Sequence, residues 1–219
     1  MKRAKIGNRG DYNTLFPGQG KKPVQFESTQ ELEHGNLVVE LGEKIKTIYG
    51  NEAGVDFQNI CIPLYPGNQE YFPKLAQHAI NFKEYEFVSL VFGYKSTLPG
   101  NYTTSTLNNG QCILATEHDV KRPTWTTWEE MDATETNTQG MIDHGKVHWH
   151  GVECDPAKLT TKGLKFVRTK GVTGDMDIAD YDHGRFHFGL LNTSADMVNE
   201  PIGELWCYYK VAFKTRRPY

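Results

Sequence analysis

The chain has 219 residues, of which 38% are hydrophobic, and a formal net charge of −3. This apolar content is enough for one core, and all-β sandwiches of this length commonly fold as a single domain. No stretch approaches the roughly 20 consecutive apolar residues that span a bilayer, and the polar first residues do not resemble a secretory signal. We therefore expect a protein that is made in the cytosol and has no membrane partner.

The charge is unevenly distributed along the chain. Residues 1–24 contain six basic side chains and one acid, Asp11, a balance of +5, so the other residues together carry −8. A basic and weakly apolar segment ahead of an acidic globule is typical of a flexible arm that binds a polyanion, although a solubilising terminus would have the same composition. We call residues 1–24 the N-terminal arm; its candidate nucleic-acid-binding residues are Lys2, Arg3, Lys5, Arg9, Lys21 and Lys22.

The next part of the chain alternates between strand, turn and helix patterns. Residues 37–49 predict a first strand or a hairpin, and residues 57–65 predict a half-buried strand with apolar side chains at period two. Residues 72–82 place apolar side chains at helical spacing, which predicts a short helix. Residues 86–94 alternate again and have apolar side chains on both faces, so we expect a strand that is covered on both sides.

The second half of the chain continues the strand pattern after a long polar loop. Residues 96–110 are this loop, which we expect on the surface in a recognition role. Thr127 and Glu130 match a capping box that opens a brief helix. Seven or eight strands joined by short helices and turns predict a two-sheet antiparallel sandwich, with one domain over residues 25–219. The later strands are expected at residues 111–116, 146–154, 164–168, 185–190 and 204–214.

The four cysteines do not form a metal or redox motif. Cys61, Cys112, Cys154 and Cys207 are far apart in sequence, without a C-x-x-C pair, and each lies in an apolar or alternating run. We expect reduced, mostly buried thiols rather than disulfides.

Several motifs, in order along the chain, resemble the shell domain of tombusvirus-like coat proteins. Three lie early in the chain: Ile62-Pro-Leu-Tyr-Pro-Gly-Asn, Phe72-Pro-Lys-Leu-Ala and Phe82-Lys-Glu-Tyr-Glu-Phe-Val-Ser-Leu-Val-Phe-Gly-Tyr. The later motifs are most similar to those of tombusvirus-like coats borne by some circular single-stranded DNA viruses of eukaryotes, and they also resemble those of positive-strand RNA viruses, so the sequence leaves the genome type open. The later motifs are Gly110-Gln-Cys-Ile-Leu-Ala-Thr-Glu-His-Asp, His150-Gly-Val-Glu-Cys-Asp-Pro, Lys165-Phe-Val-Arg, Asp180-Tyr-Asp-His-Gly-Arg-Phe and Ile202-Gly-Glu-Leu-Trp-Cys-Tyr-Tyr-Lys-Val.

This resemblance implies a fold and a function. The implied fold is all-β, a single eight-stranded antiparallel jelly-roll sandwich with one or two short helices in its connections. The implied function is a viral capsid protein that assembles with itself, in about 60 copies (T=1), around a single-stranded genome and catalyses no reaction. It would be located in the virion and assembled in the host cytoplasm or nucleus.

The chain departs from the family pattern in some places. Tyr65 stands where the family has Asn, and Lys74 stands where it has Trp. We expect no protruding domain, and the N-terminal arm is shorter than the Arg-rich arms of the family. Its charge alone would not neutralise a genome, so other basic residues are candidates for the shell interior: Lys210, Lys214, Arg216 and Arg217.

The resemblance also implies a possible metal site. Many tombusvirus-like shells bind calcium between subunits through carboxylates in the segment that matches residues 117–119, so Asp119 and Glu117 are candidate ligands. Calcium takes six or more oxygen ligands, and one segment supplies too few, so the site would need a neighbouring subunit. The alternative is that these are solvated loop carboxylates. We expect no other cofactor.

The histidines offer a rival, enzymatic interpretation. His148-Trp-His150 with Glu153 is similar to the metal motif of cupins, which are also jelly rolls. In a regular strand, however, Glu153 would face away from both histidines. We therefore expect the two histidines on the solvent face of their strand, and Trp149, at the strand centre, buried.

Two histidine pairs are spaced four residues apart, which suits a helix rather than the predicted strands. They are His144 with His148, and His183 with His187. If these side chains lay at subunit contacts, their protonation would loosen a shell near pH 6. The sequence has no G-x-S-x-G nucleophile elbow and no phosphate-binding loop.

A second rival is a lectin-like binding module. In such a β-sandwich, Trp125, Trp128 and Tyr102 would contact a glycan. This protein would be a monomer or a small oligomer, whereas a coat protein would form a large closed shell.

Overall fold

The computed structural model describes residues 28–31, 35–99, 110–159, 163–171 and 177–218. Apart from short 3₁₀ turns, the regular structure is almost all strand. The helices are α1, Pro73–Ala79, and α2, Trp128–Asp132. The strands are β1, Ser28–Glu31; β2, Leu37–Tyr49; β3, Phe57–Pro63; β4, Phe82–Ser96; β5, Gln111–Glu117; β6, Asn137–Met141; β7, Val147–Val152; β8, Lys165–Phe166; β9, Arg185–Leu191; and β10, Pro201–Arg216.

The strands form two antiparallel sheets, as predicted. The first sheet has the order β1-β2-β10-β4-β7, and β8 also pairs with β4. The second sheet has the order β3-β9-β5-β6. The eight strands β2-β10-β4-β7 and β3-β9-β5-β6 form the expected jelly roll. The described chain has ten strands rather than eight, because β1 extends the first sheet at its edge and the two-residue β8 adds to β4.

The core lies between the two sheets and follows the predicted alternation of the last strands. Phe186, Phe188 and Leu190 of β9 point into it, and so do the odd-numbered residues 205–213 of β10. Phe92 of β4 stacks on Phe186 with ring centroids 3.7 Å apart, which joins the two sheets. Three of the four cysteines are buried and Cys61 is half-buried, all as free thiols, as the spacing predicted.

β2 is one continuous strand, so the strand alternative for residues 37–49 is confirmed. The break in the apolar pattern at Gly42-Glu43 is not a turn. Glu43 instead points inward, where its carboxylate accepts hydrogen bonds from the Tyr209 hydroxyl at 2.7 Å and from the Lys74 backbone N–H at 3.1 Å. A buried carboxylate with two donors thus interrupts the pattern without ending the strand.

Both predicted helices are present. α1 begins with Pro73 in its first turn and buries Leu75, Ala76 and Ala79. At α2, the Thr127 side chain accepts from the Glu130 N–H and the Glu130 side chain accepts in return, a complete capping box. No helix in the described ranges is long and apolar enough to cross a membrane.

The segment around α2 forms a second, small apolar cluster on the outer side of the second sheet. Trp125 and Met131 pack there on Ile113 and Ala115 of β5. Gly189 of β9 makes room for this layer, because a Cβ at that position would lie 2.7 Å from the Ile113 side chain. The outer face of the second sheet is therefore partly covered by the chain itself.

Candidate functional site

The outer face of the first sheet carries most of the exposed charge of the sandwich strands, and its two halves differ. In the half near the end of β10, the basic side chains are paired across strands. Lys210 lies 3.1 Å from Glu40 and Lys214 lies 3.4 Å from Glu86. Arg217 donates to two backbone carbonyl oxygens. These candidates for the shell interior thus offer less free positive charge than the sequence suggested.

The other half of this face combines aromatic rings with lysines. Trp206 and Tyr208 of β10 are half-buried on it, and Trp149 of β7 lies beside them, 5.8 Å from Tyr208 between ring centroids. Lys44 pairs with Glu204 at 2.8 Å, and Glu204 also accepts a hydrogen bond from the Trp206 indole at 3.1 Å. These two hydrogen bonds lower the pKa of Glu204 and keep it charged. Sequence analysis did not find this group, because its members come from strands far apart in the chain.

Trp149 is buried, as predicted, but on the outer face rather than in the core. Its ring lies over Gly93 of β4, where a Cβ would come within 2.3 Å of the indole. The side chains of β7 alternate as expected, but the two faces are exchanged.

The prediction that His148 and His150 face solvent is therefore wrong. His150 lies between the sheets, with Nε2 2.8 Å from the Thr116 hydroxyl and Nδ1 3.4 Å from the Thr138 hydroxyl. Burial lowers its pKa to about 4. His148 stacks on Tyr94, and its Nε2 lies 3.0 Å from the carbonyl oxygen of Met141.

The structure does not assemble a cupin-type metal site. Glu153 lies beyond the end of β7, where it accepts from the backbone N–H groups of Cys154 and Asp155 and pairs with Lys158 at 3.1 Å. Each partner of the Glu153 carboxylate is local, and none is a histidine side chain. Within the described ranges no group of three or more metal-ligating side chains comes together.

The histidine pairs spaced four residues apart also separate. His144 Nδ1 is hydrogen-bonded to the carbonyl oxygen of Leu98 in a loop, whereas His148 points between the sheets. His183 Nε2 donates to the Glu153 carbonyl oxygen at 2.9 Å, and burial lowers the pKa of His183 to about 4. The ring nearest to it is His118, 5.4 Å away between centroids.

A cysteine–histidine contact on the outer side of the second sheet was not predicted. The register of β3 with β9 places Cys61 opposite His187, with Sγ 3.8 Å from Nε2. Asn59 donates one amide hydrogen to the Trp125 carbonyl oxygen at 2.8 Å and the other to His187 Nδ1 at 3.0 Å. The neutral imidazole therefore carries its proton on Nε2, which faces the thiol.

In this contact the histidine cannot activate the Cys61 thiol as a nucleophile. A base for Cys61 would need a free lone pair on Nε2, and that atom holds the proton. Burial raises the pKa of the Cys61 thiol, and burial lowers the pKa of His187 to about 4. The pair is thus neutral and packs beneath Trp125, whose ring lies 4.3 Å from that of His187.

One of the three aromatic residues that the lectin interpretation requires is not accessible to a glycan. Trp125 is 4% exposed and is occupied by His187. Trp128 is half-buried and meets Phe57 edge-on, 6.4 Å between centroids. The third residue of that hypothesis, Tyr102, lies outside the described residues, as does most of the polar loop that contains it.

The calcium candidates lie together at the surface, but their oxygens already have partners. Glu117 pairs with Arg122 at 3.0 Å and accepts from the Asp119 N–H at 2.9 Å. Asp119 accepts from the Lys121 N–H at 3.0 Å, and the Lys121 ammonium pairs with Asp177 at 2.8 Å. Asp119 is exposed and Glu117 is half-buried, and with these partners the two carboxylates are compatible with an ion only if further oxygens come from another subunit. The site remains a prediction.

The six basic residues of the N-terminal arm, Lys2, Arg3, Lys5, Arg9, Lys21 and Lys22, lie outside the described residues. Their assignment to nucleic acid therefore still depends on the sequence alone.

Comparison with known proteins gives one family and one fold. The family model "Viral coat protein (S domain)" matches residues 20–218. A comparison with curated proteins found no match. The structure of melon necrotic spot virus matches with a TM-score of 0.66 and 18% identity, over 83% of this chain and 56% of that one.

Two further viral structures agree on the fold. Cucumber necrosis virus matches with a TM-score of 0.67 and 18% identity, over 84% of this chain and 58% of that one. Mud crab tombus-like virus matches with a TM-score of 0.62 and 14% identity, over 96% of this chain and 100% of that one. The chain thus spans less than three fifths of the length of the melon and cucumber virus proteins.

Proposed function

Because the chain belongs to the viral coat protein family and carries its S domain over residues 20–218, we propose that it assembles with copies of itself into a closed shell around a single-stranded viral genome. Family membership makes it a capsid protein of a virion. The proposal adds the self-assembly, a shell of 60 copies, the enclosed genome and the absence of catalysis.

The observation that carries the proposal is the match of the family model to nearly the whole described chain, together with the jelly-roll topology. The fold alone would not be enough, because jelly rolls also serve as lectins and metalloenzymes. The structure does not assemble the sites that the alternative functions require. The cupin residues separate, Trp125 is buried, and the Cys61 contact holds its proton on the wrong atom.

The proposal that the shell encloses a genome is supported by the positive charge of the N-terminal arm. The N-terminal arm carries +5, so 60 copies would supply about +300, whereas a genome of about a thousand nucleotides carries about a thousand phosphates. The arm therefore needs help from other cations or from other surfaces of the shell. The similarity of the later motifs to coats of circular single-stranded DNA viruses leads us to propose DNA as the first genome type to test.

The test is the mass and content of purified particles. Sixty chains of 24.9 kDa would form a particle of about 1.5 MDa, visible by electron microscopy and measurable by light scattering. Digestion of the released nucleic acid with DNase or RNase would identify the genome. A protein that stays monomeric or forms small oligomers under all assembly conditions would contradict the proposed function.

A further inference from the structure

The half of the first sheet's outer face that contains Trp206 and Tyr208 is built differently from the rest of the sandwich. We call it the aromatic face, defined by Trp206, Tyr208, Lys44 and Lys95, with Lys46 at its border. Trp206 and Tyr208 are two positions apart on one strand, so their side chains lie on the same side, about 6.6 Å apart. Both residues are half-buried, so a part of each remains accessible to solvent.

Lysines flank the rings on the two neighbouring strands. Lys44 is paired across from Trp206 on β2, and Lys95 is paired across from Glu204 on β4. Lys44 and Lys95 are exposed on this face. Lys46 is also exposed, but it lies at a bulge of β2, across from the inward-facing Leu205, and so borders the face rather than standing on it. Glu204 is the carboxylate that lies among these lysines, so the three lysines and Glu204 together carry a charge of +2.

The lysines of β10 in the other half of the same face are placed differently. There, Lys210 and Lys214 are matched by Glu40 and Glu86 in ion pairs. No described carboxylate forms an ion pair with Lys46 or Lys95. Positive charge and accessible rings thus coincide at one place on a sandwich whose residues outside the N-terminal arm carry −8.

We infer that the aromatic face binds single-stranded nucleic acid, with bases stacked on Trp206 and Tyr208 and phosphates held by Lys44, Lys46 and Lys95. Aromatic rings beside basic side chains on a sheet are the arrangement that binds single strands without sequence preference. This inference deepens the proposed function, on which it rests, because it names the shell surface that would contact the genome.

The other candidate occupant is a second copy of the chain. Protein–protein interfaces are enriched in Trp and Tyr but depleted in lysine, so it is the three lysines around the rings that argue for a polyanion. A base can stack on a half-buried ring while its phosphate reaches a lysine on the adjacent strand, about 4.8 Å away. The composition of the face therefore favours a polyanion with flat bases over a protein surface.

The experiment uses the full-length protein and a fluorescent 20-nucleotide poly(dT) strand, with binding measured at several salt concentrations. The variant K44Q/K46Q/K95Q should weaken binding and reduce the slope of log K against log salt by about 2, since each phosphate contact on a single strand contributes about 0.7. W206L should weaken binding by about 5-fold or more without changing that slope, because stacking releases no counterions.

The control is K83Q/K170Q, which removes two exposed lysines outside the aromatic face, one fewer than the triple variant. It should change neither the affinity nor the salt slope by more than the effect of overall charge. Each variant should also keep the parent's circular dichroism spectrum and melting temperature, because the substituted side chains are at least partly exposed.

Shell formation, measured separately by electron microscopy, distinguishes the two proposals. If K44Q/K46Q/K95Q and W206L bind poly(dT) like the parent, the aromatic face is not a nucleic-acid site, whether or not shells form. If they bind like the parent but no longer form shells, the face is a contact between copies. If the parent forms no shells but the variants lose binding, the proposed shell fails and the nucleic-acid site stands.

Discussion

Lowering the pH from 7.5 to 5 should destabilise the folded subunit through its buried histidines. His150, His183 and His187 each have a pKa lowered to about 4, mainly because burial disfavours the charged imidazolium. The unfolded chain binds these protons near the ordinary pKa of about 6.5. Between pH 6.5 and 4 the unfolded state thus holds more protons than the folded state, so the free energy of unfolding falls as the pH falls. The stability that depends on these neutral histidines is complete only above about pH 6.5.

His150 is the best single probe of this effect. It contributes about 1.4 kcal/mol per pH unit below 6.5, which gives a loss of about 2 kcal/mol at pH 5. H150Q keeps a side chain that can hydrogen-bond to Thr116 but cannot take up a proton in this range. At pH 7.5 we expect H150Q to be less stable than the parent, because glutamine packs less well in the site. At pH 5 the free energy of unfolding of H150Q should rise by about 2 kcal/mol relative to that of the parent.

The assay is urea unfolding followed by circular dichroism, at one protein concentration and several pH values. Carboxylates also titrate in this range, so the difference between H150Q and the parent isolates the histidine. If the two stability curves run parallel from pH 7.5 to 5, His150 is not held neutral by burial. His183 and His187, two of the histidines that the sequence suggested for subunit contacts, are thus expected to act on the stability of the subunit itself. Acid sensitivity of the subunit contacts stays a prediction.

Three other perturbations test different parts of the structure. W149A should cost about 3 kcal/mol and reduce the yield of soluble protein, and G93A should have a similar effect because its Cβ would meet the indole; thermal melting measures both. If Asp119 binds an intersubunit ion, chelator should lower the melting temperature of particles, and D119N should remove that response. Deleting residues 1–22 should leave the sandwich folded but lower the ratio of absorbance at 260 nm to that at 280 nm in purified particles, and an unchanged ratio would make the arm a spacer.

The strand pattern could be predicted where one face is buried and the other is not. In β9 and β10, large apolar residues alternate with polar ones, and the core face follows directly. β7 shows the limit of this reasoning. Both of its faces are covered, one by the second sheet and the other by Tyr208, so alternation gives two sets of residues but not which set is inside.

The candidate surfaces depend on register between distant segments, which a single sequence does not contain. Lys44 meets Glu204 across 160 positions, and Cys61 meets His187 across 126. Spacing within a segment suggested the His148, His150 and Glu153 group instead, whose members the fold separates. Local patterns therefore predicted the capping box of α2, whereas the surface chemistry needed the sheet order.

The positive charge of the proposed shell is too small to neutralise the phosphates of the genome, so binding by the aromatic face would depend on stacking as well as on charge. Sixty N-terminal arms supply about +300 and sixty aromatic faces about +120, which together are less than half of about a thousand phosphates. If stacking on Trp206 and Tyr208 adds affinity that does not depend on counterions, part of the nucleic acid should stay bound to the shell in 1 M salt, where the arm releases it. W206L particles should then lose their nucleic acid at a lower salt concentration than the parent, as measured by absorbance after gel filtration. Equal salt profiles for the two would show that only electrostatic contacts hold the genome.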